Sequence, residues 1–191
     1  MYAAGRSVRT ETCGPAAPLS AEPNPSAGQM STFTSIGATP DLRIKPELSA
    51  VGGNVYSSIP TVEGKGDYAS MSGTSMASPY VAGASVLVKS YMAENWTGSY
   101  DAASMTENLM MSTASPVIDP ETELPYSPRL QGSGLIDLSA ATSSDVVLYT
   151  DADQYGDTKP VLNLGDDVAR NGSYDLTFHA RNMGKDAARY D

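Results

Sequence analysis

One run in the middle of the chain, from Met76 to Met92, consists almost entirely of apolar and small residues, and Lys89 is its only charge. Such positions would surround nearly the whole circumference of a helix, so the pattern predicts a helix that is buried on almost all sides. Pro79 falls in the first predicted turn, where a missing N–H costs little. A second helix is predicted from Asp101 to Ser112. Its inward face would carry Met105, Leu109 and Met110.

Two short runs after residue 142 have the pattern of β-strands. The run from Asp145 to Tyr149 is largely apolar, and the run from Tyr174 to Ala180 alternates with period two. Asn171-Gly172, just before the second run, is a tight-turn signal. Because a complete β-sandwich has about seven strands, these runs predict only the opening of one.

Three stretches of unlike texture divide the 191 residues. Residues 1–28 contain four prolines among Ala, Ser and Gly, which predicts a segment that is disordered or foreign to the fold. Residues 29–142 mix short apolar runs, glycine turns and helices, as an α/β domain does. Residues 143–191 are predicted to be a linker and the start of a β-sandwich.

The charge balance narrows the possible partners. The chain carries a formal net charge of -10, so it lacks the positive surface that nucleic acid binding needs, and an anionic membrane would repel it. No apolar stretch approaches the ~18 residues that span a bilayer. We therefore expect no nucleic acid partner and no membrane span. The single Cys13 cannot form an internal disulfide, so cysteine content identifies no compartment.

The segment Ser72–Ser75 directly precedes the predicted buried helix. A helix N-terminus favours negative charge, so an oxyanion forming on a substrate carbonyl could be stabilised there, with the N–H of Ser75 as one donor. Gly73 permits a tight turn, and Ala77 and Ser78 leave room for a substrate. Most serines at such positions are N-caps, so the position alone leaves both interpretations open.

The complete segment is more specific than its position. Residues 73–83 read Gly-Thr-Ser-Met-Ala-Ser-Pro-Tyr-Val-Ala-Gly. They closely resemble the nucleophile signature of the subtilisin-like serine proteases (subtilases), Gly-Thr-Ser-Met-Ala-x-Pro-His-Val-Ala-Gly. Tyr80 alone departs, in place of a histidine that is not catalytic in the family. The resemblance implies that Ser75 is the acylated nucleophile and that Gly73 and Thr74 position the turn around it.

Flanking segments extend the resemblance over residues 29–191. Phe33–Gly37 and Lys45–Gly53 are similar to the family's Phe-Ser-Ser-x-Gly and Lys-Pro-Asp-x-x-Ala-Pro-Gly stretches, with Glu47 and Val51 as departures. Ser127–Asp137 is similar to the segment that closes the catalytic domain, where paired glycines turn the chain into a last strand. By the same resemblance, the residues on the substrate side would be Ser49, Ala50, Gly52 and Gly53.

The fold implied by the resemblance is α/β. Residues 29–142 would be the C-terminal part of a subtilisin-like parallel-sheet domain. Residues 143–191 would begin the fibronectin type III-like β-sandwich that follows this domain in the cell-envelope proteinase and C5a peptidase branch. The implied activity is that of a serine endopeptidase acting on polypeptides, secreted or attached to the cell surface.

A serine hydroxyl needs a base to remove its proton and a third group to orient that base, and subtilases order the three as Asp, His, Ser. No histidine precedes Ser75, and the single one is His179. Asp41 and Asp67 lie in segments that match other parts of the family pattern, and Asn54 does not match the oxyanion asparagine. We therefore expect these groups in an N-terminal part of the catalytic domain outside this sequence. The chain alone should then be inactive and prone to aggregate.

Two other functions are compatible with the sequence. An α/β-hydrolase would use Ser75 with Asp119 or Asp137 and His179, in that chain order. Against it, the nucleophile turn of that fold has Gly where Ala77 stands, and an apolar strand where the residues before Ser75 are polar. The second possibility is a degenerate, non-catalytic binding or surface module.

The resemblance implies no cofactor. Calcium sites occur in the family, but no site can be identified in this sequence. Asp151–Asp157 is similar to a calcium loop, yet Tyr155 and Leu162 occupy two of the positions that such a loop gives to ligands. The pattern therefore favours a solvated acidic linker.

Overall fold

The computed structural model describes residues 6–9, 20–23, 26–62, 65–162 and 170–189. The elements follow in the order β1 (Arg6–Arg9), β2 (Ser20–Pro23), β3 (Val55–Val62), β4 (Lys65–Met71), α1 (Thr74–Asn95), α2 (Ala102–Ser112), α3 (Pro128–Gln131), α4 (Leu138–Ala141), β5 (Val146–Tyr149) and β6 (His179–Asn182). These strands pair antiparallel, β1 with β2, β3 with β4, and β5 with β6. The mixture of helices and strands fits the predicted α/β class.

Parallel pairing occurs, among the described residues, between the segments around Ser49 and Leu135. The N–H of Ser49 donates to the carbonyl oxygen of Gly134 at 2.7 Å, and the N–H of Ile136 donates to that of Ser49 at 2.9 Å. The predicted parallel sheet is thus reduced to one bridge in this part of the chain. Antiparallel partners can be close in sequence, as β3 and β4 are, whereas parallel partners need a crossover of about a dozen residues or more.

Helix α1 contains the predicted run Met76–Met92 but is buried along one stripe only. The buried residues are Ala77, Ala84, Val88 and Met92. On the other side, Val86 and Leu87 are 62% and 54% exposed. The expectation of burial on nearly all sides is therefore wrong for the described structure. Helices α2 and α4 contact α1, and a helix buries only the face that has a partner.

The predicted second helix is confirmed as α2. Asp101 is its N-cap, and the side chain accepts a hydrogen bond from the N–H of Ser104. Leu109 and Met110 are buried, and Met105 packs against the same core from a partly buried position. The core continues beyond the helices, where its members include Ile136, Ala141, Val147 and Met183.

The C-terminal strands differ in part from the sequence pattern. Strand β5 lies where it was predicted, but β6 begins at His179, and Tyr174, Leu176 and Phe178 of the alternating run are exposed and unpaired with β5. The register runs from Val146 opposite Asn182 to Tyr149 opposite His179. Because β5 has only four residues, it can pair with only four residues of its partner, and hydrogen-bonded and non-hydrogen-bonded pairs alternate among these.

The β1–β2 pair lies within residues 1–28, for which the composition predicts disorder or a segment foreign to the fold. Backbone hydrogen bonds between two strands do not require the periodic apolar pattern whose absence led to that prediction. Among the described residues, none of the helices combines the length with the apolar character needed to cross a bilayer.

Candidate active site

Ser75 lies in the first turn of α1, behind an N-cap that supplies no side chain. The N-cap is Gly73, no side-chain hydrogen bond closes this helix end, and the first turn has no acidic residue. Glycine in place of a polar N-cap costs roughly a few tenths of a kcal/mol, so this end of α1 carries no capping side chain at little cost in stability. Its partial positive charge and unpaired N–H groups therefore remain available to an external negative charge.

The backbone around Ser75 leaves its N–H accessible. The N–H of Met76 turns back to the carbonyl oxygen of Gly73 at 3.1 Å. The side chain of Ser75 is exposed. A Cβ added to Gly73 would lie 3.7 Å from the nitrogen of Ser75, so a side chain at position 73 would cover part of the approach to that N–H. Glycine at the N-cap therefore leaves more room for a substrate beside the N–H of Ser75, which is the predicted oxyanion donor.

Two hydrogen bonds join this turn to residues 52–54. Gly73 donates its N–H to the carbonyl oxygen of Gly52 at 2.8 Å. Asn54 donates its N–H to the hydroxyl oxygen of Ser72, also at 2.8 Å. Asn54 has a φ of 53°, in the left-handed region that asparagine tolerates better than most residues. The segment that the sequence predicts as the substrate wall is therefore bonded directly to the nucleophile turn.

Two hollows flank the start of α1. The first has a volume of about 180 Å³ and includes Ser75 in its wall. Its other lining residues come from α1 and the β3–β4 hairpin, and they are Val55, Ser57, Ser58, Ile59, Ala69, Met71, Met76 and Pro79. The second hollow, of about 260 Å³, is lined by Thr74, Ala77, Ser78, Val81 and residues of the 34–50 region. Consecutive residues, Thr74 and Ser75, thus face different hollows.

The predicted substrate-side residues lie on the second hollow or in the core beside it. Ser49 and Ala50 line the second hollow but are only 3% and 2% exposed. The hydroxyl of Ser49 donates to the carbonyl oxygen of Gln131 at 3.1 Å. Gly52 and Gly53 are buried as well. The structure therefore brings these residues close to the nucleophile turn through the backbone, while the hollow beside Ser75 is formed by other residues.

The β3–β4 hairpin is the part of the site that the sequence interpretation missed. The polar residues before Ser75 form strand β4, and no strand was predicted there from the sequence. On the hairpin, the rings of Tyr56 and Tyr68 stack with their centroids 5.7 Å apart. The signal available in the sequence was the β-branched and aromatic run Val55–Val62 followed by Gly64 and Gly66.

His179, the only histidine, is engaged away from Ser75. Its Nε2 lies 3.0 Å from Oδ1 of Asp151, and its ring stacks on Tyr149 with the centroids 5.0 Å apart. No hydrogen bond joins His179 to Ser75, both of which the structure describes. The part of the chain that is described therefore does not assemble a base on Ser75.

The acids that an α/β-hydrolase would require have local structural roles. Asp137 is the N-cap of α4, and its carboxylate accepts the N–H of Ala140 at 2.9 Å. The carboxylate of Asp119 accepts the N–H of Glu121 at 3.0 Å. Neither contact involves His179, whose carboxylate partner is Asp151. The described contacts thus give no support to that alternative.

The acidic loop after β5 folds on its own backbone. The carboxylate of Asp153 accepts the N–H groups of Tyr155 at 2.8 Å and Asp157 at 2.9 Å. Among residues 26–62, 65–162 and 170–189, no group of three or more His, Cys, Asp or Glu side chains is placed to hold a metal ion.

Most of the chain is similar to known proteinases. The model of the subtilase family, Peptidase S8, matches residues 8–135. The match begins within residues 1–28, the segment that the composition placed outside the domain. A PII-type proteinase of Lactococcus lactis subsp. cremoris and one of Lacticaseibacillus paracasei are each 33% identical over 164 residues, which cover 80% of this chain and 8% of each relative. The C5a peptidase of Streptococcus pyogenes is 33% identical over 147 residues, which cover 75% of this chain and 12% of that protein. The chain thus spans about a tenth of the length of these relatives.

Proposed function

The chain belongs to the subtilase family, and we propose that Ser75 is the nucleophile of a serine endopeptidase that cleaves polypeptides through an acyl-enzyme. The observation that carries the proposal is the open N-terminus of α1. It presents an exposed serine, a glycine N-cap without a side-chain hydrogen bond and a first turn without an acid. A helix end left uncapped in this way can stabilise an oxyanion, which a capped end cannot do as well.

In this mechanism Oγ of Ser75 attacks the carbon of the scissile carbonyl, and its proton passes to a base. The carbonyl oxygen becomes an oxyanion that accepts a hydrogen bond from the N–H of Ser75. Collapse of the intermediate expels the amine, which takes the proton from the base, and water then hydrolyses the acyl-enzyme. The hollow beside Ser75 would receive part of the substrate, with Met71 and Met76 among its apolar walls. No cofactor enters these steps.

The base is the group that residues 26–62, 65–162 and 170–189 do not provide. His179 is paired with Asp151. The acids that an α/β-hydrolase would use, Asp119 and Asp137, accept backbone N–H groups instead. We assign the base, its orienting acid and a side-chain oxyanion donor to polypeptide other than these residues. A site without its triad partners retains only about 10³–10⁴-fold catalysis over water, so the chain alone should be inactive.

We also propose that the complete protein is secreted or held at the cell surface, and that residues 143–191 begin a fibronectin type III-like domain. The location is supported by the family resemblance of residues 29–191. The domain assignment is supported by the antiparallel pairing of β5 with β6. Both proposals concern a protein longer than these 191 residues, and the PII-type proteinases that this chain matches are themselves far longer.

A serine-directed fluorophosphonate probe tests the proposal. The genomic sequence around the Met1 codon is translated in all three frames, and the longest polypeptide containing residues 29–191 is purified beside the 191-residue chain. We expect labelling of the longer polypeptide, its loss in Ser75→Ala and its retention in Ser99→Ala, which changes an exposed serine. We expect no labelling of the 191-residue chain.

Each outcome addresses a separate part of the proposal. Labelling that persists in Ser75→Ala would show that Ser75 is not the nucleophile. Specific labelling of the 191-residue chain at Ser75 would show that the base lies within it. An upstream sequence with no catalytic Asp, His and Asn in order, together with an unreactive Ser75, would make a degenerate binding module the better description.

A further inference from the structure

We propose that Lys159 is a positioning residue for the nucleophile turn. It fastens the loop formed by residues 150–159 to Glu47, and thereby steadies the backbone segment 47–52 to which Gly73 is hydrogen bonded. The functional meaning of this inference rests on the proposed role of Ser75. The structural effect of Lys159 on segment 47–52 and Gly73 does not depend on that role, and it is tested without any measurement of activity.

The ammonium of Lys159 lies among carboxylates from three separate parts of the fold. Its Nζ is 3.0 Å from Oε1 of Glu47, 3.4 Å from Oε1 of Glu107 on α2, and 3.6 Å from Oδ2 of Asp157 in its own loop. Only 19% of the Lys159 side chain is exposed. A lysine with so little contact with water is tolerated as a cation only when it is paired, so these contacts are needed in the folded state.

The backbone at Thr158 and Lys159 is held by α2 and by Thr150, the first residue after β5. Asn108, which is fully buried, donates its side-chain N–H to the carbonyl oxygen of Thr158 at 3.1 Å. The hydroxyl of Thr150 donates to the carbonyl oxygen of Lys159 at 2.8 Å. These hydrogen bonds position the backbone of Lys159. Because the backbone is positioned independently of Glu47, the ammonium can restrain the Glu47 carboxylate that it contacts.

Further contacts reinforce the attachment of the loop to residues 41–47. The guanidinium of Arg43 lies over the ring of Tyr155, 4.4 Å from its centroid. Lys45 bonds to the same carboxylate of Glu47 that Lys159 contacts. Burial, together with repulsion from Lys159, lowers the pKa of Lys45. Two ammonium groups thus compete for Glu47, and the one on the loop is the more enclosed.

From Glu47, backbone hydrogen bonds lead to the nucleophile turn. The carbonyl oxygen of Glu47 accepts the N–H of Ser133 at 2.9 Å. Two residues further, Ser49 donates its N–H to the carbonyl oxygen of Gly134, and its own carbonyl oxygen accepts the N–H of Ile136. Three residues beyond that, the carbonyl oxygen of Gly52 accepts the N–H of Gly73 at 2.8 Å. Segment 47–52 is therefore hydrogen bonded at residues 47, 49 and 52. Because only a few residues between these points are free to change conformation, we expect a displacement of Glu47 to displace the acceptor of the Gly73 N–H.

Loss of the ammonium would remove the cation that Glu107 contacts and would leave Glu47 with Lys45 alone. An exposed ion pair contributes little to a structure, but removal of the least exposed member of a partly buried charge network forces the remaining charges to rearrange. Glu47 is the partner on the path to Gly73, so its rearrangement is the one with a consequence for the turn.

The test is amide hydrogen exchange of the full chain, resolved at single residues. In Lys159→Met we expect exchange of the Gly73 N–H to accelerate by about tenfold or more, because the acceptor segment loosens. In Lys159→Arg, which keeps the charge, exchange should stay within about twofold of the unchanged chain. Lys185→Met is the matched control, since it removes an exposed lysine charge outside the network and should also leave Gly73 within about twofold.

The outcomes separate positioning from local stabilisation. If Lys159→Met accelerates exchange in residues 153–159 and leaves Gly73 unchanged, the loop is stabilised locally and the proposal is wrong. If Lys159→Met does not fold, the unchanged chain is titrated from about 0.05 to about 1 M NaCl, which screens the network. Exchange at Gly73 should then rise with salt, and constant exchange across the titration would overturn the proposal. An inert Ser75 would refute the proposed function while leaving the exchange result intact.

Discussion

Gly73 donates its N–H to the carbonyl oxygen of Gly52 at 2.8 Å, so the turn that carries Ser75 and the segment expected to form the substrate wall are one hydrogen-bonded unit. Neither residue has a side chain with which to make the contact. The geometry of the site therefore depends on backbone positions, and substitutions that add a Cβ probe it directly. Glycines in different surroundings give such substitutions matched controls.

Gly73→Ala should reduce reactivity at a modest cost in stability. The φ of Gly73 is 163°, an extended conformation open to any residue, and the added Cβ would lie at an ordinary contact distance of 3.7 Å from the nitrogen of Ser75. Because glycine is a better N-cap than alanine, we expect the free energy of unfolding to fall by about 0.5–1 kcal/mol. The methyl group would crowd the oxyanion donor, whose full loss typically costs about 10²–10³ in rate, so a decrease of at least about tenfold is expected.

The measurement is the rate of fluorophosphonate labelling in the complete polypeptide, with denaturant unfolding of the same variant. Gly83→Ala is the matched control, because Gly83 lies in α1 and its added Cβ meets nothing within 4 Å. That variant should keep its labelling rate and gain about 1 kcal/mol of stability from helix propensity. Equal labelling rates for the two variants would contradict the role assigned to the glycine N-cap.

Gly132→Ala should be far more destabilising than Gly172→Ala. Both residues have a positive φ, 64° and 66°. A Cβ at Gly132 would overlap the backbone of Pro46 and Glu47, whereas one at Gly172 would meet nothing within 4 Å. We expect a cost of about 1–2 kcal/mol at position 172, from the left-handed conformation alone.

At position 132 the backbone overlap adds to that cost, and we expect a total of about 3 kcal/mol or more. Urea unfolding of both variants against the unchanged chain measures the difference. Similar costs at the two positions would mean that the close approach of Gly132 to residues 46–47 does not exist in solution. The comparison also tests the attachment on which the path from Glu47 to Gly73 depends.

Tyr91→Phe should alter the alkaline stability of the protein. The hydroxyl of Tyr91 donates to Oδ1 of Asp145 at 2.9 Å. Burial, followed by this hydrogen bond and the charge of Asp145, raises the pKa of Tyr91 to about 12. Because the folded-state pKa exceeds the unfolded value of about 10, the stabilisation is complete below pH 10 and is lost as the pH rises from 10 to 12.

We expect Tyr91→Phe to cost about 1 kcal/mol near pH 7 and the difference from the unchanged chain to shrink between pH 10 and 12. Thermal unfolding followed by circular dichroism across this range measures the effect. Tyr174→Phe, at an exposed tyrosine, should not change the alkaline profile. A difference that stayed constant up to pH 12 would show that Tyr91 does not titrate with folding.

The sequence by itself determined the features that depend on neighbouring residues. Helix α2, strand β5 and the motif around Ser75 were all predicted from contiguous positions. Helical hydrogen bonds join residues four apart, and a cap lies beside the turn it closes, so a short window contains the interactions that form them. The family motif is likewise contiguous, which is why Ser75 could be predicted as the nucleophile without a structure.

Tertiary structure alone decided which residues meet across the chain. Ser49 and Ala50 are withdrawn into the core, while the β3–β4 hairpin forms the hollow beside Ser75. Burial of one stripe of α1, the late start of β6 and the enclosure of Lys159 also depend on partners distant in sequence. A residue's pattern shows what it can bury or pair with, but the partner that completes the contact is supplied by the packing of the whole chain.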